Sequence, residues 1–182
     1  MIFARVSKKG GVANEWGISL VEILIYVAVM TMFLILIVNA VQSFSKSYRS
    51  MHSAQNVELS AETALERLTR EIRGATSVDT AQSTLGSSPG ILFLNTTDDA
   101  GTALTVKFFL SGQVLHVSEN GVDQGPLTSS AVRVTNLVFR SITATKSKAV
   151  KIELATESGS GSDYRSKSFY STVVMRGSYP LQ

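Results

Sequence analysis

The sequence contains no cysteine. That excludes disulfides, zinc–thiolate sites and thiol catalysis, and it is compatible with any compartment. Histidine is scarce, with only His52 and His116, and neither is accompanied by a carboxylate cluster or a Gly-Ser elbow. An enzyme is therefore not expected, and neither is a metal or cofactor site. Charge is absent from Ile23 to Val38, and proline and glycine are absent from Ile18 to Arg73.

The 182 residues are enough for one globular unit plus an extension. The stretch from Ile18 to Val41 holds about 24 mostly apolar residues. As a helix at ~1.5 Å per residue it reaches roughly 36 Å, enough for a bilayer core of ~30 Å. The alternative is a buried core helix, but soluble cores rarely hold so long a charge-free run. The net charge is +3 and the isoelectric point is near 9.3. With Arg5, Lys8, Lys9 and Glu15 set aside, the 17 bases and 14 acids become 14 and 13. The overall balance thus gives nucleic-acid binding little support. From Ala131 onward bases outnumber acids, which reads first as a solvated sheet face with lysines guarding its edges.

Residues 1–17 are short, basic and glycine-bearing, and read as a targeting segment. Their positive charges are expected to stay in the cytoplasm, with the C-terminal part outside the membrane. After the apolar run, apolar residues recur at helical steps: Val41, Phe44, Tyr48 and Met51, then Val57, Ala61, Leu65, Leu68 and Ile72. Glu66 with Arg70 and Arg67 with Glu71 form i,i+4 pairs. Gly74 supplies a stop, preceded by Arg70 and Arg73 in the last turn. The pattern predicts one helix over about Ile18–Arg73, with a membrane half at 18–41 and an amphipathic half at 42–74.

From residue 75 to 182 the texture becomes β-rich. Ile91–Asn95, Leu104–Leu110, Gln113–Ser118, Val132–Arg140, Val150–Ala155 and Ser168–Met175 are the predicted strands. The turn signals "DDAG", "LSGQ", "ENG" and "ESGSGSD" separate them. Such short linkers favour an antiparallel meander. Asp98, Asp99 and Asp123 lack the spacing of a calcium loop, and "NTTDDAGT" reads as a hairpin turn. "ESGSGSD" is low in complexity and expected to be flexible. The fold class is α+β: a long N-terminal helix whose amphipathic half covers one antiparallel sheet.

One residue stands out. In "GISLVEILIYVAVMTMF" the carboxylate of Glu22 lies inside the front of the apolar run. An ionisable group within a membrane helix is costly and marks function by default. The same stretch resembles the N-terminus of type IV prepilins and pseudopilins, whose signature is Gly at the cut, an apolar residue after it, and Glu fifth in the mature chain. Here these fall on Gly17, Ile18 and Glu22. The pilin-like resemblance implies cleavage between Gly17 and Ile18 by a prepilin peptidase and N-methylation of Ile18, although Phe is usual at that place. It further implies assembly with other pilins or pseudopilins through the helix, into a pilus or a secretion or DNA-uptake pseudopilus. Localisation would be single-pass in the inner or cytoplasmic membrane. "AETALERLTREIRGATSV", "VTNLVF" and "STVVMR" resemble J-type minor pseudopilins and W-type minor pilins. Cleavage would create an α-amino group at Ile18, able to neutralise Glu22 of a neighbouring subunit within an apolar bundle. The alternative is an ordinary secreted or anchored β-domain, cut after the small residues of "VNA" at Val38–Ala40.

Overall fold

The computed structural model describes residues 19–98, 100–144 and 147–176. One helix, α1 (Leu20–Gly74), runs for 55 residues. Uninterrupted α-helix is what a stretch without glycine or proline permits. Gly74 is its last residue, and the Thr96 hydroxyl donates to the Gly74 carbonyl (3.3 Å), satisfying a terminal acceptor. The predicted start at Ile18 lies outside the described residues.

The chain divides into two compact units, 1–44 and 45–182. In the first, every described residue, Ser19 and the part of α1 from residue 20 to 44, is exposed. Among its described residues none is buried in a core. The most apolar 18-residue window of the helix has a mean hydropathy of 2.7 and none of it is buried, so α1 is long and apolar enough to cross a membrane. That exposure does not fit a buried core helix.

The second unit combines the rest of α1 with eight antiparallel strands: β1 (Ser77–Val78), β2 (Leu92–Thr97), β3 (Ala103–Ser111), β4 (Val114–Glu119), β5 (Val122–Pro126), β6 (Arg133–Thr143), β7 (Lys148–Ser158) and β8 (Arg165–Val174). The single sheet expected from the sequence is two. One runs β1-β2-β3-β4-β5 and the other β6-β7-β8, each a meander. The separation has a visible cause. One edge of β6 is occupied by the loop before β2: Gly86 N donates to Phe139 O and Gly90 N to Leu137 O, both at 2.8 Å. Leu137 N donates to Ser88 Oγ (3.1 Å) in the same seam. A Cβ at Gly90 would lie 2.9 Å from the Leu137 carbonyl, so the loop approaches this closely only with glycine there.

The predicted strands lie within one to three residues of the observed ones, and two strands were missed. β1 is too short to carry a pattern. β5 reads "VDQGP", with a glycine, a proline and no alternation. It exists because Asn120 (φ 48°) and Gly121 (φ 82°) make a two-residue hairpin turn after β4, the left-handed pair that type I′ geometry demands. The turn at Asp98 is the predicted hairpin. Its Oδ1 accepts from Ala100 N (3.0 Å) and Thr102 N (2.7 Å).

Both sheets and the helix share one core. Ala61, Ala64, Leu68 and Ile72 of α1 meet Leu92, Leu94, Val106, Phe108, Leu115 and Val117 of one sheet and Leu137, Phe139, Val150, Ile152 and Leu154 of the other. The buried stripe on α1 is Ser53, Val57, Ala61, Ala64, Leu68 and Ile72, at steps of three and four. Leu65, predicted to belong to it, sits half-buried at its margin, and Ala64 takes the central place. The serine- and glycine-rich loop after β7, expected to be flexible, folds into a short 3-10 turn (Gly161–Asp163) seated on the helix. Asp163 pairs with Arg49 (3.2 Å) and Arg165 donates to the Ser50 hydroxyl.

Candidate functional site

Glu22 lies in the first turn of α1 and is exposed among exposed apolar neighbours: Leu20 (78%), Ile23 (51%) and Tyr26 (61%). The Tyr26 hydroxyl donates to Glu22 Oε1 at 2.7 Å, one helical turn on. Sequence reasoning passed over Tyr26, although its i+4 spacing from Glu22 was there to be read. Among the described residues the carboxylate has no other hydrogen bond and no ion pair. One oxygen is thus held by a neutral donor, and the second is open to a cation from outside the chain. Gly17 and Ile18, the predicted cleavage and methylation positions, lie outside the described residues.

On the second unit, Tyr48 (63%), Met51 (64%) and Leu59 (63%) are exposed on α1, off the buried stripe. In the first unit Val41 and Phe44 are exposed as well. Tyr48 and Met51, the later part of the first apolar stripe read from the sequence, therefore do not pack on the sheets.

The bases of the C-terminal strands are mostly paired within the chain. Arg133 meets Glu157 (2.9 Å), Arg140 meets Glu153 (3.0 Å), Lys151 shares Glu153 (3.0 Å), and Lys167 reaches Glu58 on α1. The Lys151 ammonium, followed by the Arg140 guanidinium, holds the Glu153 carboxyl below its ordinary range. Alternate residues of β7 are buried, so the Arg133–Glu157 pair and the Arg140–Glu153–Lys151 cluster line the outer face of the three-stranded sheet, whereas Lys167, opposite buried Thr156, lies on the helix side. Neutralised in this way, the face offers phosphate few free cations.

The two histidines belong to separate local contacts. His52 Nδ1 lies 3.0 Å from Asn56 Nδ2. His116 Nδ1 lies 2.9 Å from Asp123 Oδ2, and the His116 ring leans on Phe109 with 5.7 Å between centroids. The Asp123 carboxyl is held below its usual value, first by the Gly125 N–H and then by His116. Among the described residues no group of three histidine or acidic side chains is arranged to hold a metal ion. Asp98 is instead spent on its hairpin turn. Comparison with models of known protein families, with curated proteins and with solved structures found no match.

Proposed function

We propose that the chain is a membrane-anchored filament subunit of the prepilin or pseudopilin kind, cleaved between Gly17 and Ile18 and assembled through α1. The observation that carries this reading is a helix apolar enough for a bilayer whose described membrane part bears a single ionisable side-chain acid, Glu22, with one oxygen unclaimed. A plain anchor has no use for that acid. A neighbour's new α-amino group at Ile18 would supply the missing cation and fix the axial position of one subunit on the next. The exposure of Val41 and Phe44, and of Tyr48 and Met51, adds support, because apolar helix surface left uncovered by the chain's own sheets is surface for other helices. The unbroken helix through Val38–Ala40 favours this reading over release by a cut after Ala40. The subunit then has a structural role, with prepilin peptidase and other pilins as partners.

The test is the mature N-terminus. Sequencing or intact mass of the chain recovered from membranes should give Ile18 as the first residue. Replacing Gly17 with a bulky residue should leave an uncleaved precursor. A mature chain beginning at Val41, or normal processing of the Gly17 variant, would sink the proposal.

A further inference from the structure

We infer that the outward face of α1 from Glu62 to Arg73 is a contact with a second copy of this chain, lying parallel and displaced by two helical turns. The parallel orientation rests on the membrane-anchored reading above, since two chains inserted the same way in one membrane run in the same direction. The contact itself rests on charge. Many acids and bases elsewhere on this unit are matched within the chain, as are Arg49 with Asp163, Arg67 with Glu71 and Glu119, Arg133 with Glu157, Arg140 with Glu153 and Lys167 with Glu58. Glu62, Glu66 and Arg73 are exposed and, among the described residues, have no ion pair. Arg70 reaches only Glu71, at 4.0 Å, with its side chain 66% exposed. The i,i+4 pair expected between Glu66 and Arg70 is thus not made, and Arg70 keeps only that long contact. These residues line one open furrow floored by Leu65 and Thr69.

The order along the helix sets the geometry. Two acids come first and two bases follow. Arg70 is eight residues beyond Glu62, and Arg73 is seven beyond Glu66. Two turns of α-helix are about 7.2 residues, or about 11 Å, and return to the same face. A parallel neighbour shifted by that amount sets both carboxylates against both guanidinium groups. A neighbour in register sets acid on acid and is repelled. Exposed ion pairs are individually weak, so this surface chooses the stagger rather than providing the main adhesion. Glu22 and the proposed residue-18 amine are only four residues apart in sequence, fewer than the seven or eight of this stagger. That contact belongs to a different neighbour from this one.

The absence of cysteine makes the test direct, because introduced thiols are the only ones present. Full-length chains carrying His52→Cys and Leu59→Cys are co-expressed as two distinguishable copies and oxidised in the membrane. Positions 52 and 59 are seven residues apart, so the staggered pair should yield the mixed cross-link in preference to either same-position product. Adding Glu62→Arg and Glu66→Arg to both copies should reduce it at least tenfold, and so should Arg70→Glu with Arg73→Glu. The product should return when the His52→Cys copy carries the two arginines and the Leu59→Cys copy the two glutamates. That recovery shows that the variants fold. Absent or same-position cross-links, indifference to the charge changes, or no recovery in the swapped pair would each overturn the inference. Cross-links are scored on precursor and mature chains alike, so a failure of cleavage after Gly17 counts against the filament reading alone.

Discussion

At the residue scale, two positions show how tightly the second unit is closed. Gly159 has φ +80°, and a Cβ there would lie 2.3 Å from the Asp163 carbonyl oxygen and 2.8 Å from Ser53 Oγ. Gly159→Ala must therefore lift the β7–β8 loop off the helix. We expect a loss of about 1–3 kcal/mol, the range for a strained backbone position, read as a lower urea midpoint. Gly161 also has positive φ but nothing near it, so Gly161→Ala should cost less, and equal losses would refute the steric account. Leu68 is fully buried in the shared core, and Leu68→Ala should cost ~2–5 kcal/mol in the same assay. Acid acts on Glu153 and Asp123. Both carboxyls are lowered in the folded state. Their contribution is present above the unfolded carboxylate pKa and is lost as pH falls through the depressed folded values. Both sit at the surface, so the effect is small. Glu153→Gln should flatten the fall of the melting temperature below about pH 4, the region of ordinary carboxylate titration, and leave it unchanged near pH 7. An identical slope in the variant would remove Glu153 from the explanation.

At the element scale, α1 is two helices in one by environment. Its C-terminal part contributes Val57, Ala61, Ala64, Leu68 and Ile72 to the fold. Burying each large aliphatic side chain is worth ~1.5–3 kcal/mol, against a total domain stability of ~5–15 kcal/mol. A fragment starting at Ser45 should unfold cooperatively, and one starting at Ala75 should not, judged by denaturant melts and amide exchange. Equal stability of the two would show the helix dispensable. Arg67 also ties the helix to β4. Its Nη2 donates to Glu119 Oε1 at 2.7 Å. Its Nε lies 2.8 Å from Glu71 Oε1, but the N–H is not aligned with that oxygen, so the second contact is electrostatic only. The Arg67–Glu71 spacing was legible from the sequence. Glu119 was not, because nothing local brings residue 119 to residue 67.

At the scale of the whole molecule, the two units call for different solvents. The fragment from Ser45 should be soluble, whereas the full chain should partition into membranes and need detergent, as fractionation would show. Glu22→Ala should insert and be cleaved as well as the unaltered chain, since removing a charge does not hinder partitioning. On the filament reading proposed above, what it removes is the partner of a neighbour's amine, and breaking such a pair within an apolar bundle is worse than never having it. The fraction of mature subunit in sheared filaments or partner pull-downs should fall at least tenfold, with Glu22→Gln a partial rescue because it can still accept the Tyr26 hydroxyl. Unchanged incorporation of Glu22→Ala would leave Glu22 an incidental acid.

The sequence by itself determined what depends on near neighbours along the chain. The uninterrupted helix follows from missing glycine and proline, its fitness to cross a membrane from missing charge, and the Asp98 hairpin from turn chemistry. Residues three and four apart on a helix, or two apart on a strand, are placed by backbone geometry alone. The tertiary structure decided which of those surfaces meet. The helix carries two apolar stripes, and both look alike as periodicity. Only packing shows that the one through Val57 and Leu68 is buried and the one through Tyr48 and Met51 is not. The division into two sheets depends on the Gly86–Gly90 loop claiming the edge of β6, a contact across about 50 residues of chain. The partners of Arg133 and Arg140 turn part of a basic run into a largely neutral face, and Glu58 of the helix takes up Lys167, for the same reason. Such contacts are fixed by the free energy of the assembled core rather than by local preference, and they leave no periodic trace in the sequence.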